Sequence, residues 1–419
     1  MKPQELESLD RRMTEFLADL LAPMGRSERR NWARVYLEGL LLDGERKSIE
    51  PIASRIPGAD VQALRQFVGQ SPWTVEEVQR RLAWKIVDLL SEPEVWIIDE
   101  TSFPKAGNHS VGVARQYCGA LGKVANCQVA VSLHWSSDEA SCPLGWRLFL
   151  PKEWIEDTER ASNVKLPLGT KYKTKTELAL ELIDQMLGWE LPPLPVVADS
   201  FYGNDFGFRE QLRERHLSYA LAVEPSTVVW TTDPNAPLPP PKKTGRPRKR
   251  PPLESLPRPQ DLLAVAQQLP ASAWHTVTWR EGTKGPQRSR YAKVKIWAAH
   301  RWQAQDPIKR VPEWLLIEWP MDEATPVKYW LAQLGSRPPG IRHFVRVARS
   351  RWRVELDYRE LKDELGLDHF EGRHWLGWHH HVTLVSIAYA FMRSEQLRNK
   401  KNSWYDFAPG SQEPTEGAD

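Results

Sequence analysis

The chain of 419 residues has few cysteines and no long apolar run. Its three cysteines, Cys118, Cys127 and Cys142, form no Cys-x-x-Cys pair, which argues against a disulfide framework and against a Cys-based zinc site. No apolar run reaches the length of about 18 residues that a membrane span needs, and the N-terminal sequence lacks the apolar core of a signal peptide. These absences predict a cytoplasmic protein with reduced thiols and no membrane partner.

Net charge is also nearly absent, because 57 basic residues face 54 acidic ones and leave a formal charge of +3. Such a balance does not by itself indicate a nucleic-acid partner, so any basic surface has to be local. Hydrophobic residues make up 41% of the chain, enough for a sizeable core, and the length allows two or three domains. The composition therefore excludes a disordered or fibrous protein.

Apolar spacing predicts short helices over residues 1–88. Within them, residues 49–68 form two helical stretches joined at Pro57-Gly58, which is typical of a helix-turn-helix. Thr74 and Glu77 have the spacing of a capping box at the start of a further helix. A DNA-binding domain and a small helical bundle with a solvated basic face both fit this region. The basic residues concerned are Arg26, Arg29, Arg30, Arg34, Arg46, Lys47 and Arg55.

From residue 89 the pattern becomes that of an α/β core. In residues 89–224 we predict strands at VWIID, SVGVARQY, CQVAVSLHW, CPLGWRLFL, PLPVVADS and LSYALAV, and helices at KTELALELIDQMLGW and DFGFREQLRERH. The core resumes in residues 312–402 with a strand at EWLLIEW, one long helix through residues 342–365 and an apolar helix through residues 381–397. Residues 403–419 form a polar tail that we expect to be frayed.

Residues 225–311 differ in composition and are predicted to be an insertion into this core. The insertion has strands at WHTVTWR and YAKVKIWAAH and a basic, proline-rich loop without regular structure. In that loop the sequence GRPRKR, with Arg246, Arg248, Lys249 and Arg250, resembles an AT-hook core. Two interpretations stay open, entry into an A·T-rich minor groove and plain attraction to phosphates.

Two aspartates, Asp99 and Asp199, each follow a short apolar run that is typical of a buried strand. An acid at a strand end is often only the start of a loop. Carboxylates on rigid strands are, however, the hard oxygen ligands that Mg²⁺ prefers. Two metal ions about 3.5–4 Å apart activate the nucleophile and stabilise the leaving oxygen in phosphodiester cleavage. With a third acid on the helix after the insertion, the order of elements is that of an RNase H-like fold.

The flanks of both acids resemble DDE transposases of bacterial insertion sequences. The matching segments are DETSFPKAGNHSVGVARQYCGALGKVANCQVAV from Asp99, DSFYGND from Asp199, SERRNWARVYLEGLLLDGERKS and GLDHFEGRHW, so the resemblance covers nearly the whole chain. It implies an α/β, RNase H-like mixed sheet flanked by helices, interrupted by the β-containing insertion and preceded by an N-terminal helical DNA-binding domain.

The resemblance also implies an activity and partners. We expect an enzyme that binds terminal inverted repeats, cleaves the DNA strand and transfers it to target DNA. Its cofactor would be Mg²⁺, with two ions per active site and Mn²⁺ able to substitute. Two ends have to be brought together, so a homodimer on DNA is expected, associated with the nucleoid when bound.

Several glutamates compete for the third acid. Many cut-and-paste members of the family carry a signature of Tyr, Arg, Glu and Lys, and Arg351, Glu355 and Lys362 match its spacing. Ala348 stands where the signature has tyrosine, which puts that residue's phosphate contact, and a hairpin intermediate, in doubt. We predict Glu355 as the third acid and Glu364 as the second candidate. The other glutamates nearby are Glu360 and Glu371.

The predicted catalytic metal ligands are thus Asp99, Asp199 and Glu355. Positions 351, 355, 359 and 362 share one helix face, which places basic side chains beside Glu355 to hold DNA phosphates. An exposed helix with ion pairs between its own turns is the alternative. On this helix the predicted DNA-binding residues are Arg351, Arg359 and Lys362. Lys105 and His109, shortly after Asp99, are also predicted to contact DNA, and an ordinary loop is the alternative for these two.

Three consecutive histidines, His379, His380 and His381, point in different directions on a helix. A shared metal is therefore not expected, and satisfied or exposed histidines are.

Two other functions remain open on the sequence. A domesticated or regulatory DNA-binding protein of transposase origin would lack chemistry, against which the intact Asp99, Asp199 and Glu355 argue. An RNase H-like host endonuclease would lack binding to specific ends. Inverted repeats bordering the gene would favour the transposase.

Overall fold

The structure is a computed structural model that describes residues 3–90, 92–234, 258–282, 285–300, 310–335 and 340–407. It confirms the predicted class, an α/β fold with a large mixed sheet flanked by helices. The chain forms two compact units. Unit one comprises Met1–Pro93, Glu100–Leu191 and Arg353–Asp419, and unit two comprises Glu94–Asp99 and Pro192–Trp352.

The N-terminal part of unit one is helical, as predicted, with α1 (Pro3–Leu20), α2 (Ser27–Leu41), α3 (Ile49–Arg55), α4 (Val61–Gln70) and α5 (Val75–Leu89). Residues 57–58 form the turn between α3 and α4. Thr74 is the N-cap of α5, but its side chain makes no cap hydrogen bond. The predicted capping box is wrong here, because the Glu77 carboxylate accepts hydrogen bonds from Arg80 and Arg81 instead.

The next elements of unit one are the strands and helices that follow α5. They are β1 (Pro93–Pro104), whose first residues belong to unit two, β2 (Ala114–Cys118), β3 (Lys123–Ser137), β4 (Ser141–Leu148), α6 (Lys152–Glu156), α7 (Thr158–Asn163) and α8 (Lys175–Gly188). Strand β3 pairs antiparallel with both β2 and β4. Helix α8 packs on β3 and β4 and begins with a capping box formed by Thr174 and Glu177. The three cysteines are free and buried, as expected.

Unit two contains the elements between residues 192 and 352. They are β5 (Val196–Ala198), α9 (Ser200–Gly203), α10 (Phe206–Glu214), β6 (Tyr219–Val223), β7 (Val228–Trp230), β8 (Gln260–Asp261), α11 (Leu262–Gln267), β9 (His275–Gly282), β10 (Gly285–Ala298), β11 (Pro312–Pro320), β12 (Lys328–Gln333) and α12 (Ile341–Arg349). The strands follow the order β1-β5-β6-β12-β11-β10-β7-β8, with β9 paired to β10. The strands of the predicted insertion therefore continue the sheet that β5 and β6 begin.

Unit one ends with α13 (Trp352–Asp363) and α14 (Trp375–Phe407). Sequence patterning predicts one helix through residues 342–365, and this prediction is wrong, because α12 and α13 are separate helices. The break falls at Ser350, whose hydroxyl donates to the Val347 carbonyl at 2.7 Å. A serine hydroxyl that bonds to a nearby backbone carbonyl competes with the helix, which accounts for the interruption.

Helix α14 forms the centre of unit one and packs against α2, α4, α5 and β4. It is long, but among the described residues no helix combines the length and the apolarity needed to cross a membrane. Its buried polar side chains include His380, His381, Thr383 and Ser386, and the His379 side chain beside them is half-buried.

Each histidine of α14 has a different partner, and that of His379 is the Trp375 carbonyl of the same helix, 3.0 Å from its Nδ1. His380 donates from Nδ1 to the Val68 carbonyl at 2.9 Å. His381 contacts the Leu367 carbonyl through Nε2 at 3.1 Å and the Tyr36 hydroxyl through Nδ1 at 2.9 Å. Because a carbonyl only accepts, the ring proton of His381 lies on Nε2 and the tyrosine donates to Nδ1. The three histidines thus have different hydrogen-bond partners, although Nε2 of His380 is buried and has none among the described residues.

Burial keeps these imidazoles neutral. Desolvation lowers the pKa of His379 to about 3, of His380 to about 4 and of His381 to about 3. A charged ring would lose its hydration without gaining an anionic partner, so protonation opposes folding.

We predict that unit one loses stability in mild acid. The unfolded histidines take up protons near pH 6.5 and the folded ones only near pH 3 to 4, so the stability is complete above pH 6.5 and falls below it. Relative to pH 8, each ring lowers the free energy of unfolding at pH 5 by about 2 kcal/mol. Denaturant unfolding at both pH values measures this.

Two histidine variants test whether the buried rings, and not other titrating groups, cause this loss of stability. His380→Gln keeps an amide donor for the Val68 carbonyl but cannot ionise, so its stability should fall less between pH 8 and 5. His343→Gln, at an exposed position of α12, should fall as the unsubstituted protein does. Equal pH dependence in all three proteins would contradict the prediction.

Candidate active site

The pairing of β1 with β5 brings the backbones that lead to Asp99 and Asp199 next to each other in unit two. The strands are parallel, with Trp96 opposite Val196 and Ile97 opposite Val197. Register partners in parallel strands point to the same side, and two residues further along this register Asp99 meets the level of Asp199. The backbone at position 199 is still extended, with φ −77° and ψ −175°. The predicted juxtaposition of the two aspartates thus has a backbone basis.

Asp199 follows β5 directly, as the sequence predicts. Its carboxylate caps α9 by accepting a hydrogen bond from the Phe201 backbone N–H at 3.0 Å. Helix α9 lies close to β6, because a Cβ at Gly203 would come within 1.8 Å of the Ala222 carbonyl oxygen. Only glycine permits this approach, and the short helix fixes the orientation of the Asp199 side chain.

Asp99 is not at a strand end, which corrects the sequence prediction, because β1 continues to Pro104. The residue is 7% exposed, and its Oδ2 accepts a hydrogen bond from Nη1 of Arg351 at 2.5 Å. Arg351 occupies the break between α12 and α13. Sequence analysis assigned this arginine to DNA phosphate, and in the structure its guanidinium balances the charge of Asp99.

Glu355 lies in the first turn of α13 and is exposed. Two of the competing glutamates have structural partners: Glu360 accepts from the Tyr389 hydroxyl at 2.9 Å, and Glu371 pairs with Arg46 at 2.8 Å. Glu364 is exposed as well, but it comes after the last residue of α13. The choice between Glu355 and Glu364 stays a prediction from sequence spacing.

The opposite face of α13 is anchored in the core of unit one by Asp357. Its buried carboxylate accepts hydrogen bonds from His134 of β3 at 2.8 Å, Ser141 of β4 at 2.5 Å and Tyr389 of α14 at 2.8 Å. These bonds fix the rotation of α13 about its axis, so Glu355 is held outward. Sequence analysis missed this network, since its members lie more than 200 residues apart for two of the three bonds.

The predicted DNA contacts on α13 differ in exposure. Arg359 is exposed. Lys362 is half-buried; its amine donates to the Ser102 carbonyl at 3.0 Å, and desolvation lowers its pKa. Lys362 therefore links α13 to β1 within unit one.

The two predicted contacts after Asp99 line one cleft of about 480 Å³ in unit one, together with Arg46 and Arg373. The amine of Lys105 donates to the Phe370 carbonyl at 2.6 Å, and burial lowers its pKa to about 8. His109 is exposed. Asp368 and Glu371 also reach this cleft, so its charge is mixed.

Several basic residues of the N-terminal helices are used inside the protein. Lys47 is buried and donates to the Leu40 carbonyl at 3.0 Å. Arg34 pairs with Glu38 at 2.7 Å, and Arg55 donates to the Arg46 carbonyl at 2.7 Å. The basic face predicted for this region is accordingly smaller than the sequence suggests. The predicted contacts of the basic loop, Arg246, Arg248, Lys249 and Arg250, lie outside the described residues.

Comparison with known proteins identifies the family. The model of the DDE superfamily endonucleases matches residues 19–286, more than half of the chain. This protein belongs to the DDE superfamily endonucleases. It is also 33% identical over 193 residues to the "Probable transposase for insertion sequence element IS701" of Microchaete diplosiphon. The match covers 46% of this chain, which spans about half (48%) of that relative's length.

Enzymes of the DDE superfamily typically use a divalent metal. Within the described ranges, no group of three or more His, Cys, Asp or Glu side chains is close enough together to hold a metal ion. The donors themselves fit such an ion, because Asp99 and Asp199 offer carboxylate oxygens from adjacent backbones of fixed register. The register supports this pair of residues as metal ligands, and their role stays a prediction.

We predict that Asp99 and Arg351 are energetically coupled. In a double-mutant cycle with Asp99→Asn and Arg351→Ala, the coupling free energy of unfolding should be about 1–3 kcal/mol, because the aspartate is buried and its partner is the arginine. Denaturant unfolding of the four proteins without divalent ions measures this.

The ion pair of Arg353 with Asp138, at 2.7 Å and with the aspartate 64% exposed, is the control. Its coupling should stay below about 1 kcal/mol. If the coupling free energy of Asp99 and Arg351 is no larger than that of the control pair, the buried ion pair does not stabilise the site.

Proposed function

We propose that this DDE superfamily endonuclease is the transposase of an insertion sequence, which cuts DNA at the ends of its element and joins them to target DNA. The observation that carries the proposal is the register of β1 and β5, which brings Asp99 to the level of Asp199. The relative described as a probable insertion-sequence transposase supports the assignment to transposition. A cytoplasmic location, with association to the nucleoid on DNA, follows from this role.

The catalytic residues in this proposal are Asp99, Asp199 and Glu355. Support for Glu355 comes from its spacing to Arg351 and Lys362 and from its exposed place on α13. The three carboxylates would hold two divalent ions, proposed to be Mg²⁺ with Mn²⁺ able to substitute. When bound, these ions supply activation of the attacking oxygen and stabilisation of the leaving oxygen.

The protein's own groups position the DNA. The Phe201 N–H holds the Asp199 carboxylate in one orientation, and the Asp357 network holds α13. Arg351 balances the charge of Asp99, and its guanidinium could bind a DNA phosphate if a bound cation took over that role. Water attacks the phosphodiester at the end of the element, and the bond from phosphorus to the 3′ oxygen breaks to leave a free 3′-OH. That 3′-OH then attacks a phosphodiester of the target DNA, and the 3′ oxygen of the target strand leaves.

We propose that separate parts of the protein contact the DNA at each end of the element. The N-terminal helices would bind the terminal inverted repeats, with Lys105, His109, Arg359 and Lys362 closer to the cleaved phosphate. Since two ends have to be joined to one target, a homodimer on DNA is proposed.

We predict that cleavage depends on the three acids and end binding does not. Asp99→Asn, Asp199→Asn or Glu355→Gln should slow Mg²⁺-dependent cleavage of end DNA by about 100-fold or more, because the charge stabilisation of the transition state is lost. Binding to the same DNA should change little. Cleavage mapped at nucleotide resolution and gel-shift titration provide the two readouts.

Glu364→Gln is the matched control and should cleave normally. If it abolishes cleavage while Glu355→Gln does not, Glu364 is the third acid. Binding to inverted repeats without any cleavage would instead indicate a regulatory protein, and cleavage without preference for the repeats would indicate a host endonuclease.

We predict from the sequence that the basic loop contributes phosphate contacts. Neutralising its cations should lower DNA affinity and flatten the salt dependence by about one unit of slope per lost contact. Cleavage of bound ends should persist. The residues to neutralise are Lys242, Lys243, Arg246, Arg248, Lys249 and Arg250.

Pro247→Ala separates the two interpretations of this loop, because it keeps the charge and removes the Gly-Arg-Pro core. Loss of preference for A·T-rich DNA indicates binding in the minor groove, and unchanged binding indicates phosphate attraction. If neutralisation alters neither affinity nor slope, the loop makes no DNA contact.

A further inference from the structure

The hairpin formed by β2 and β3 carries an exposed apolar tip in unit one. Tyr117 is 65% exposed, Leu121 48% and Val124 53%. Tyr117 and Val124 are register partners, so their side chains lie next to each other on one face, and Leu121 is in the turn between the strands. Single exposed apolar residues are ordinary, but three on one hairpin tip form a contact surface.

The tip is held rigidly. Gly122 adopts φ +63°, which a turn of this kind requires, and the Leu121 N–H donates to the Cys118 carbonyl at 3.0 Å. The Ala120 N–H donates to the hydroxyl of Ser102 at 3.0 Å. The apolar side chains therefore project from a fixed turn.

Ser102 connects this turn to the residues proposed for catalysis. It lies three residues after Asp99 on the same strand, a distance of about 10 Å along β1. Its hydroxyl accepts from the hairpin turn, and its carbonyl accepts from Lys362 at 3.0 Å. The apolar tip is thus bonded to the strand that carries a catalytic aspartate.

The charge around the tip fits a polyanion. Residues 101–137 contain no aspartate or glutamate, but they contain Lys105, Arg115 and Lys123. Arg115 is exposed, two residues before Tyr117 and so on its face of β2, and Lys123 is exposed next to Val124. Apolar side chains with cations beside them in the same hairpin match nucleobases flanked by phosphates.

We propose that the tip formed by Tyr117, Leu121 and Val124 is a wedge that contacts unpaired nucleobases where the DNA end is opened beside the cleaved phosphate. This deepens the transposase proposal and rests on it for the identity of the DNA. Apolar and aromatic side chains that insert at a base step, or stack on a freed base, favour opened DNA over paired DNA. Arg115 and Lys123 would hold the adjacent phosphates.

The test compares two DNAs that differ in pairing alone, a blunt duplex and the same sequence with a short unpaired fork at one end. Affinities are measured by fluorescence anisotropy with the full-length protein, without metal. The unsubstituted protein should prefer the fork by about ten-fold, as stacking of a base on an aromatic ring predicts. A 2-aminopurine at the fork should change its fluorescence on binding.

The variant Tyr117→Ser, Leu121→Ser, Val124→Thr should lose both the preference and the fluorescence change. Tyr117→Phe retains the ring and should keep them, which guards against a folding defect. Leu168→Ser removes a fully exposed apolar side chain elsewhere in unit one and is the matched control. It should behave as the unsubstituted protein does.

Three outcomes overturn the wedge. They are no fork preference in the unsubstituted protein, an unchanged preference in the triple variant, and a change in oligomeric state by light scattering with the preference intact. The last would make the tip a contact with a second copy. None of these readouts needs cleavage. If the protein prefers forked DNA through the tip but cuts no element ends, the transposase proposal is refuted and the wedge proposal is not.

Discussion

The parallel pairing of β1 with β5 is the constraint on which the candidate site depends. Asp99 and Asp199 are 100 positions apart, and only the register of Ile97 with Val197 brings them to one level. Each aspartate has its own hydrogen-bond donor, which is the Phe201 N–H for Asp199 and the Arg351 guanidinium for Asp99.

That guanidinium belongs to Arg351, which lies at the break between α12 and α13. A continuous helix would present Arg351 at a position set by its own periodicity, one turn before Glu355. The interruption at Ser350 frees the arginine from this periodicity, and it reaches Asp99 instead. In the absence of DNA, Arg351 therefore neutralises the charge of Asp99, although its guanidinium is also suited to bind phosphate.

Unit one holds α13 with polar groups in its core. The Asp357 carboxylate is satisfied by three hydrogen bonds from three elements, and the histidines of α14 are neutral with separate partners. Such buried networks are costly when one partner is missing, so they permit one packing arrangement. The price of that specificity is sensitivity to acid, since His380 and its neighbours cannot charge without losing their packing.

By itself the sequence determined the elements that depend on local patterns. Apolar period and turn residues located the N-terminal helices, β3, β4, α8 and α14, and strand-like flanks singled out Asp99 and Asp199. It also predicted that the three histidines would not share a site, because direction on a helix follows from spacing alone.

Tertiary structure decided the features that depend on distant partners. Strand β1 continues beyond Asp99, and the Arg351 guanidinium donates to the Asp99 carboxylate across 252 positions of the chain. The contact of Lys47 with His369 and the bonding of the hairpin turn to Ser102 likewise join segments that are separated in the chain. Local propensity is worth a few tenths of a kcal/mol to about 1 kcal/mol per residue, so a single long-range hydrogen bond or ion pair overrides it.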